Sequence, residues 1–133
     1  MKPGVLFLCV HNAGRSQMAA GFMRALAGDA VEVLSAGSEP ALELNPVAVE
    51  AMAEVGIEIS GETPRRWSDE MIESVDVVVT MGCGDTCPVF PGKRYVDWDL
   101  EDPAGKTLAE VRPIRDELER LVRGLLLELD GSE

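Results

Sequence analysis

The spacing of apolar residues changes period several times along the chain. Val5, Leu6, Phe7 and Leu8 are consecutive and lead into Cys9, the pattern of a strand buried on both faces. From Ser16 to Ala27 the period turns helical, with Met18, Phe22, Met23 and Leu26 on one side and Gly28 as a stop. The two methionines read as core fillers. Val31 to Ser35 alternates as a strand and leaves through a tight exit at Ala36-Gly37. Asn45 and Pro46 then signal a helix start, one as cap and the other as first helical residue. Val47, Met52 and Val55 continue that helix to a stop at Gly56. A short helix is expected after Ser68. Val75 to Met81 is the most strongly β-branched run and predicts a central parallel strand, with one more strand over Lys93 to Trp98. From about Leu108 a long amphipathic helix runs to the tail, carried by Val111, Ile114, Leu118, Leu121, Val122, Leu125, Leu126 and Leu129. This alternation, with no repeat or linker, predicts a single α/β domain over residues 1–133. It would be doubly wound and three-layered, with about four parallel strands and helices on both faces.

Composition narrows the possible partners. The chain has 133 residues, 46% of them hydrophobic, enough for one sizeable core. No apolar run approaches the roughly 18 residues of a membrane span, and the start lacks the pattern of a signal peptide, so a cytoplasmic protein and no membrane partner are expected. The net charge of −12 argues against nucleic acid and anionic membranes as partners. It also gives weight to any cation placed beside a bound anion. Three cysteines, an odd count, point to reactive thiols or a metal rather than a permanent disulfide frame.

The candidate chemistry begins at Cys9. A thiol at a strand's carboxyl end, followed by a short loop and a helix start, places the backbone N–H groups of Val10, His11, Asn12, Ala13, Gly14 and Arg15 around it. Asn12 and Gly14 are residue types that accept positive φ, as such a loop is expected to require. The helix dipole, those N–H groups and the Arg15 guanidinium together favour a tetrahedral oxyanion. They should also ionise Cys9 below the free-thiol value of about 8.5. The plainer reading makes Cys9 one more small buried residue closing a strand.

The ensemble of strand, Cys9, five residues, Arg15-Ser16 and helix resembles the phosphate-binding loop of the low-molecular-weight protein tyrosine phosphatase fold, which also carries arsenate reductases. Ser35-Ala36-Gly37 is similar to that family's second strand end, and Asp102-Pro103-Ala104-Gly105 to its late acid-bearing loop. Taken alone, Asp102-Pro103 is a common turn starter in an acidic loop with Asp97, Asp99 and Glu101. The resemblance makes Asp102 the general acid over the anion site. Gly105-Lys106-Thr107 looks like the end of a nucleotide-binding loop, but Leu100 stands where that motif needs glycine, so nucleotide binding is rejected.

A phosphatase needs only the thiolate, the arginine and the acid; a reductase must also dispose of two oxidising equivalents. Cys83 and Cys87, directly after the predicted central strand, open on the sheet edge that carries Cys9. By resemblance to thioredoxin-linked arsenate reductases, Cys9 attacks arsenate, Ser16 aids the thiolate and Cys83 resolves the adduct. Cys87 then presents the disulfide to thioredoxin, with mycothiol or glutathione systems as alternative donors. Their spacing of three residues is closer than in those relatives and leaves the relay order open. Gln17, where the phosphatases usually have proline, favours the reductase. Half a zinc site or inert loop cysteines are the competing readings of Cys83 and Cys87, although His11 is the only histidine. His11 is equally a backbone spacer or a functional group. Some of these relatives bind potassium near the cradle; Ala20 and Arg65 stand where acidic ligands would be expected, so that site is not carried over. No cofactor or metal is expected, and the chain should be a monomer. The runner-up functions are a low-molecular-weight phosphatase and a non-catalytic oxyanion-binding or redox-sensing module.

Overall fold

The computed structural model describes residues 2–81 and 92–131. It contains one sheet of four parallel strands in the order β2-β1-β3-β4, formed by β1 (Gly4–Cys9), β2 (Glu32–Gly37), β3 (Val77–Thr80) and β4 (Arg94–Asp97). The helices are α1 (Arg15–Ala27), α2 (Pro46–Glu54), α3 (Asp69–Ser74) and α4 (Leu108–Gly131).

Strand β1 lies between β2 and β3, and every one of its residues is buried. Because side chains alternate across a strand, its run of apolar residues feeds two cores. Val5, Phe7 and Cys9 face the large cluster built with Met18, Met23, Met52, Leu118 and Val122, so α1, α2 and α4 cover that side. Leu6 and Leu8 face a smaller cluster with Ile72, Val75 and Val78, covered by α3. The three-layer arrangement read from the sequence is therefore present. The strand order reverses between β1 and β3, and a doubly wound sheet opens a crevice beyond the carboxyl ends of strands at such a point. Cys9 ends β1 there, and β3 ends beside it with Leu8 opposite Thr80.

Local chemistry accounts for the helix starts. Asn45 Oδ1 accepts from the N–H groups of Val47 and Ala48, with Pro46 as first helical residue, as the sequence implied. Ser68 Oγ accepts from Met71 N–H and starts α3. Pro113 removes one bond from α4 near its beginning. The helix continues past it because Val111, Ile114, Leu118, Val122, Leu125 and Leu129 bury a continuous stripe. Several element ends differ by a residue or two from the reading of the sequence, β3 spanning Val77–Thr80 within the expected Val75 to Met81 and β4 Arg94–Asp97 within Lys93 to Trp98. Strand β2 runs on to Gly37, where an isolated bridge to Arg66 and a bond from Gly37 N–H to the Arg65 carbonyl prolong the pairing. Helix α1 begins one residue early, at Arg15. Cys83 and Cys87 lie outside the described residues.

Candidate functional site

The site grows from the end of β1. Between Cys9 and α1 the loop turns its carbonyls outward: Val10 O accepts from Glu39 N–H at 2.8 Å, His11 O from Ala41 N–H at 3.0 Å and Ala13 O from Asn45 N–H at 2.9 Å. With the carbonyls tied to this flanking segment, the loop's N–H groups are left for the concave side, and that of Asn12 reaches Cys9 Sγ at 3.3 Å. Asn12 has φ +51°, the one non-glycine residue with positive φ among those described, as expected for it. Helix α1 has no side-chain cap and no acidic residue in its first turn. That contrasts with the capped α2 and α3, and it leaves the helix amino terminus free to receive an anion.

Gly14 corrects the sequence reading. Its φ is −132°, so positive φ is not why glycine stands there. A Cβ at Gly14 would lie 2.5 Å from Pro103 Cγ. Glycine lets the Asp102-Pro103 loop press onto the cradle. Gly37 does the same on the other flank, where a Cβ would meet Val10 O at 2.5 Å.

Cys9 is 2% exposed, and its Sγ lies 2.9 Å from Ser16 Oγ. Ser16 Oγ in turn accepts from Asn12 Nδ2 at 2.7 Å. Asn12 Oδ1 accepts from Gln17 Nε2 at 3.2 Å and from Arg65 N–H at 3.0 Å. Arg65 also donates from Nε to Ser35 O at 3.2 Å. Above the thiol, Arg15 Nη1 donates to Leu100 O at 3.3 Å, and Nη2 faces Asp102 Oδ2 at 3.5 Å. Asp102 Oδ1 accepts from Ala104 N–H at 3.0 Å in a turn that fixes the carboxyl's orientation.

A cavity of about 140 Å³ is lined by Cys9, His11, Ala13, Gly14, Arg15, Asp102 and three small or polar neighbours, Ala41, Asn45 and Ala104. It suits a free tetrahedral anion. A wider groove of about 400 Å³ between 42–49 and 60–64 carries no thiol among its lining residues. His11 Nδ1 lies 3.1 Å from Glu39 O, and since a carbonyl only accepts, Nδ1 carries the proton in that contact. Among the described residues no group of three His, Cys, Asp or Glu side chains could hold a metal ion.

The structure thus brings together Cys9, Asn12, Arg15, Ser16 and Asp102, and places His11, Ala13 and Gly14 on the cavity wall. Val10 serves through its carbonyl, while its side chain packs on the opposite core. The roles of the Asn12 side chain, Gln17, Arg65 and Pro103 were not visible in the sequence. Each depends on a partner that no local pattern indicates.

Comparison with known proteins agrees with this geometry. Residues 4–133 match the family described as low molecular weight phosphotyrosine protein phosphatase. The chain is 39% identical over 125 residues to "Arsenate reductase 2" of Staphylococcus epidermidis, covering 91% of this chain and 94% of that protein. Among solved structures it is similar to the thioredoxin-dependent arsenate reductase of Corynebacterium glutamicum, at 43% identity and a TM-score of 0.86. That match covers 99% of this chain and 63% of the other. It is also similar to an arsenate reductase solved "in the phosphate binding state", at 36% identity and a TM-score of 0.86 over 97% of this chain and 99% of that one.

Proposed function

The chain belongs to the low molecular weight phosphotyrosine protein phosphatase family, and from that premise we propose that it is a cytoplasmic, monomeric arsenate reductase. The observation that carries the reading is the buried Cys9 sulfur, which accepts from Asn12 N–H inside a small cavity roofed by Arg15 and Asp102. Arsenate enters that cavity and its oxygens bind Arg15 and the loop N–H groups from Val10 to Arg15, which places the arsenic in line with Cys9 Sγ. The Cys9 thiolate forms a sulfur–arsenic bond while Asp102 protonates the departing oxygen, which leaves as water. The thiolate of Cys83 then attacks Cys9 Sγ. The sulfur–arsenic bond breaks, its electron pair stays with arsenic, arsenate becomes arsenite, and a Cys9–Cys83 disulfide remains. Cys87 attacks Cys83 to free Cys9, and an external dithiol reduces the Cys83–Cys87 disulfide. Thioredoxin is the proposed donor, with mycothiol or glutathione systems as alternatives.

Three observations favour reduction over phosphomonoester hydrolysis. Among the described residues, the cavity wall has no aromatic side chain to sandwich a tyrosine ring. The sequence holds two thiols beyond the nucleophile. The relatives named above are arsenate reductases at 36–43% identity. The second reading, a phosphatase using a Cys9-phosphate intermediate, is supported by the same cradle, which fits either tetrahedral anion. NADPH consumption in the presence of thioredoxin, its reductase and arsenate separates them. The reductase requires Cys9, Cys83 and Cys87, whereas aryl-phosphate hydrolysis that survives Cys83→Ser and Cys87→Ser would establish the phosphatase. Anion binding without turnover would establish the binding module. Mass mapping of the disulfide trapped after one turnover fixes the relay: Cys9 joined to Cys83 supports the order above, and Cys9 joined to Cys87 reverses it.

A further inference from the structure

We propose that Gln17, which does not line the anion cavity, is a positioning residue that fixes the direction of the proton in the hydrogen bond between Ser16 and the Cys9 sulfur. The inference rests on the reading of Cys9 as nucleophile and deepens it. Arg65 N–H is a backbone group and can only donate, so the Asn12 atom that receives it at 3.0 Å is the carbonyl oxygen Oδ1. That places Nδ2, a donor, against Ser16 Oγ at 2.7 Å. Ser16 is fully buried, and among the described residues its hydroxyl contacts are Asn12 Nδ2 and Cys9 Sγ. With one contact a donor, the hydroxyl proton has the sulfur as its acceptor. Sγ thus receives two donors, Ser16 O–H at 2.9 Å and Asn12 N–H at 3.3 Å, an arrangement that favours the anionic sulfur.

Were the Asn12 amide turned over, Oδ1 would take the Ser16 proton, and the hydroxyl could only accept from a protonated thiol. Gln17 Nε2, donating to Asn12 Oδ1 at 3.2 Å, adds a second donor beside the Arg65 N–H, so Asn12 could turn over only if it lost the Arg65 bond and the Gln17 amide turned with it. Gln17 is 1% exposed, and its own Oε1 has no hydrogen-bond partner among the described residues. Stability alone gives little reason for this side chain, because an apolar residue of the same length would remove an unpaired buried acceptor and leave Asn12 Oδ1 still bonded to Arg65.

The test is the pH dependence of iodoacetamide alkylation in Cys83→Ser/Cys87→Ser protein, where Cys9 alone reports. Gln17→Met, and Gln17→Leu as a second apolar replacement, are expected to raise the alkylation midpoint by about half to one pH unit. Their thermal midpoint should stay level or rise. Ser16→Ala is expected to raise the alkylation midpoint at least as far, and adding Gln17→Met to Ser16→Ala should cause no further shift, since Gln17 acts through that hydroxyl. The proposal is overturned by an unchanged midpoint in both Gln17 variants, by an equal shift with and without Ser16, or by failure of both Gln17 variants to fold, which would make the residue structural. A starting protein whose midpoint is no lower than a free thiol's, about 8.5, would instead overturn the reading of Cys9 as an activated nucleophile.

Discussion

Arg15 and Arg115 are buried to nearly the same degree, 7% and 8% exposed, but their surroundings differ. Arg115, between α2 and α4, donates from Nη1 to Glu54 at 2.7 Å and to Ala51 O at 3.0 Å, and from Nε to Asp116 at 2.9 Å. Arg15 has a carbonyl at 3.3 Å and a carboxylate at 3.5 Å. A guanidinium offers five N–H groups, and burying it without short partners costs free energy. Arg115 is satisfied by the fold and holds two helices together. Among the described residues it is Arg15 that is left under-coordinated, beside a cavity where an oxyanion would complete its shell with charge-assisted bonds. Equal burial therefore serves opposite purposes, and the bond lengths distinguish them.

The largest expected effect tests that contrast directly. Arg15→Ala should lower arsenate-dependent turnover about 10²–10³-fold while leaving the thermal midpoint within a few degrees, as activity assays and calorimetry on the same preparation would show. Turnover within a factor of two of the starting protein would break the comparison. Gly14→Ala should act more moderately: the new methyl must displace Pro103, move Asp102 away from Arg15 and slow turnover by up to about 10²-fold. Steady-state kinetics with sulfate protection against alkylation would show whether the anion still binds.

Arg115→Met should show the opposite profile. We expect a loss of about 1–3 kcal/mol in urea denaturation, with turnover unchanged well below the midpoint, because the Ala51 carbonyl loses its partner far from the cavity. The smallest effect belongs to Glu54. The Arg112 hydrogen bond, opposed by burial and reinforced by Arg115, holds its carboxyl down to about 2 from the usual 4.5. A lowered folded-state value means that the stabilisation is complete above pH 4.5 and is lost as the pH falls from there through about 2. Glu54→Gln should lower the thermal midpoint slightly at neutral pH, leave it unchanged near pH 2 and so flatten the pH dependence between, the whole effect being small because exposed pairs are screened by solvent.

The sequence by itself determined whatever depends on residues close together in the chain. Hydrophobic period specified four strands and four helices, Asn45-Pro46 specified a capped start, and Cys9, Arg15 and Ser16 marked the loop, because each signal is a local preference summed over a few residues. Even the positive φ of Asn12 was legible from residue type. Tertiary structure alone decided how that loop is held. Asn12 meets the Arg65 amide 53 positions away, and Arg15 meets the Leu100 carbonyl 85 positions away. Gly14 looked like a residue chosen for its φ and proved to be one chosen for its missing Cβ, because its constraint comes from Pro103. Such contacts are set by where loops cross at the sheet edge. That placement follows from strand order and helix packing over the whole core, which no short window of sequence contains.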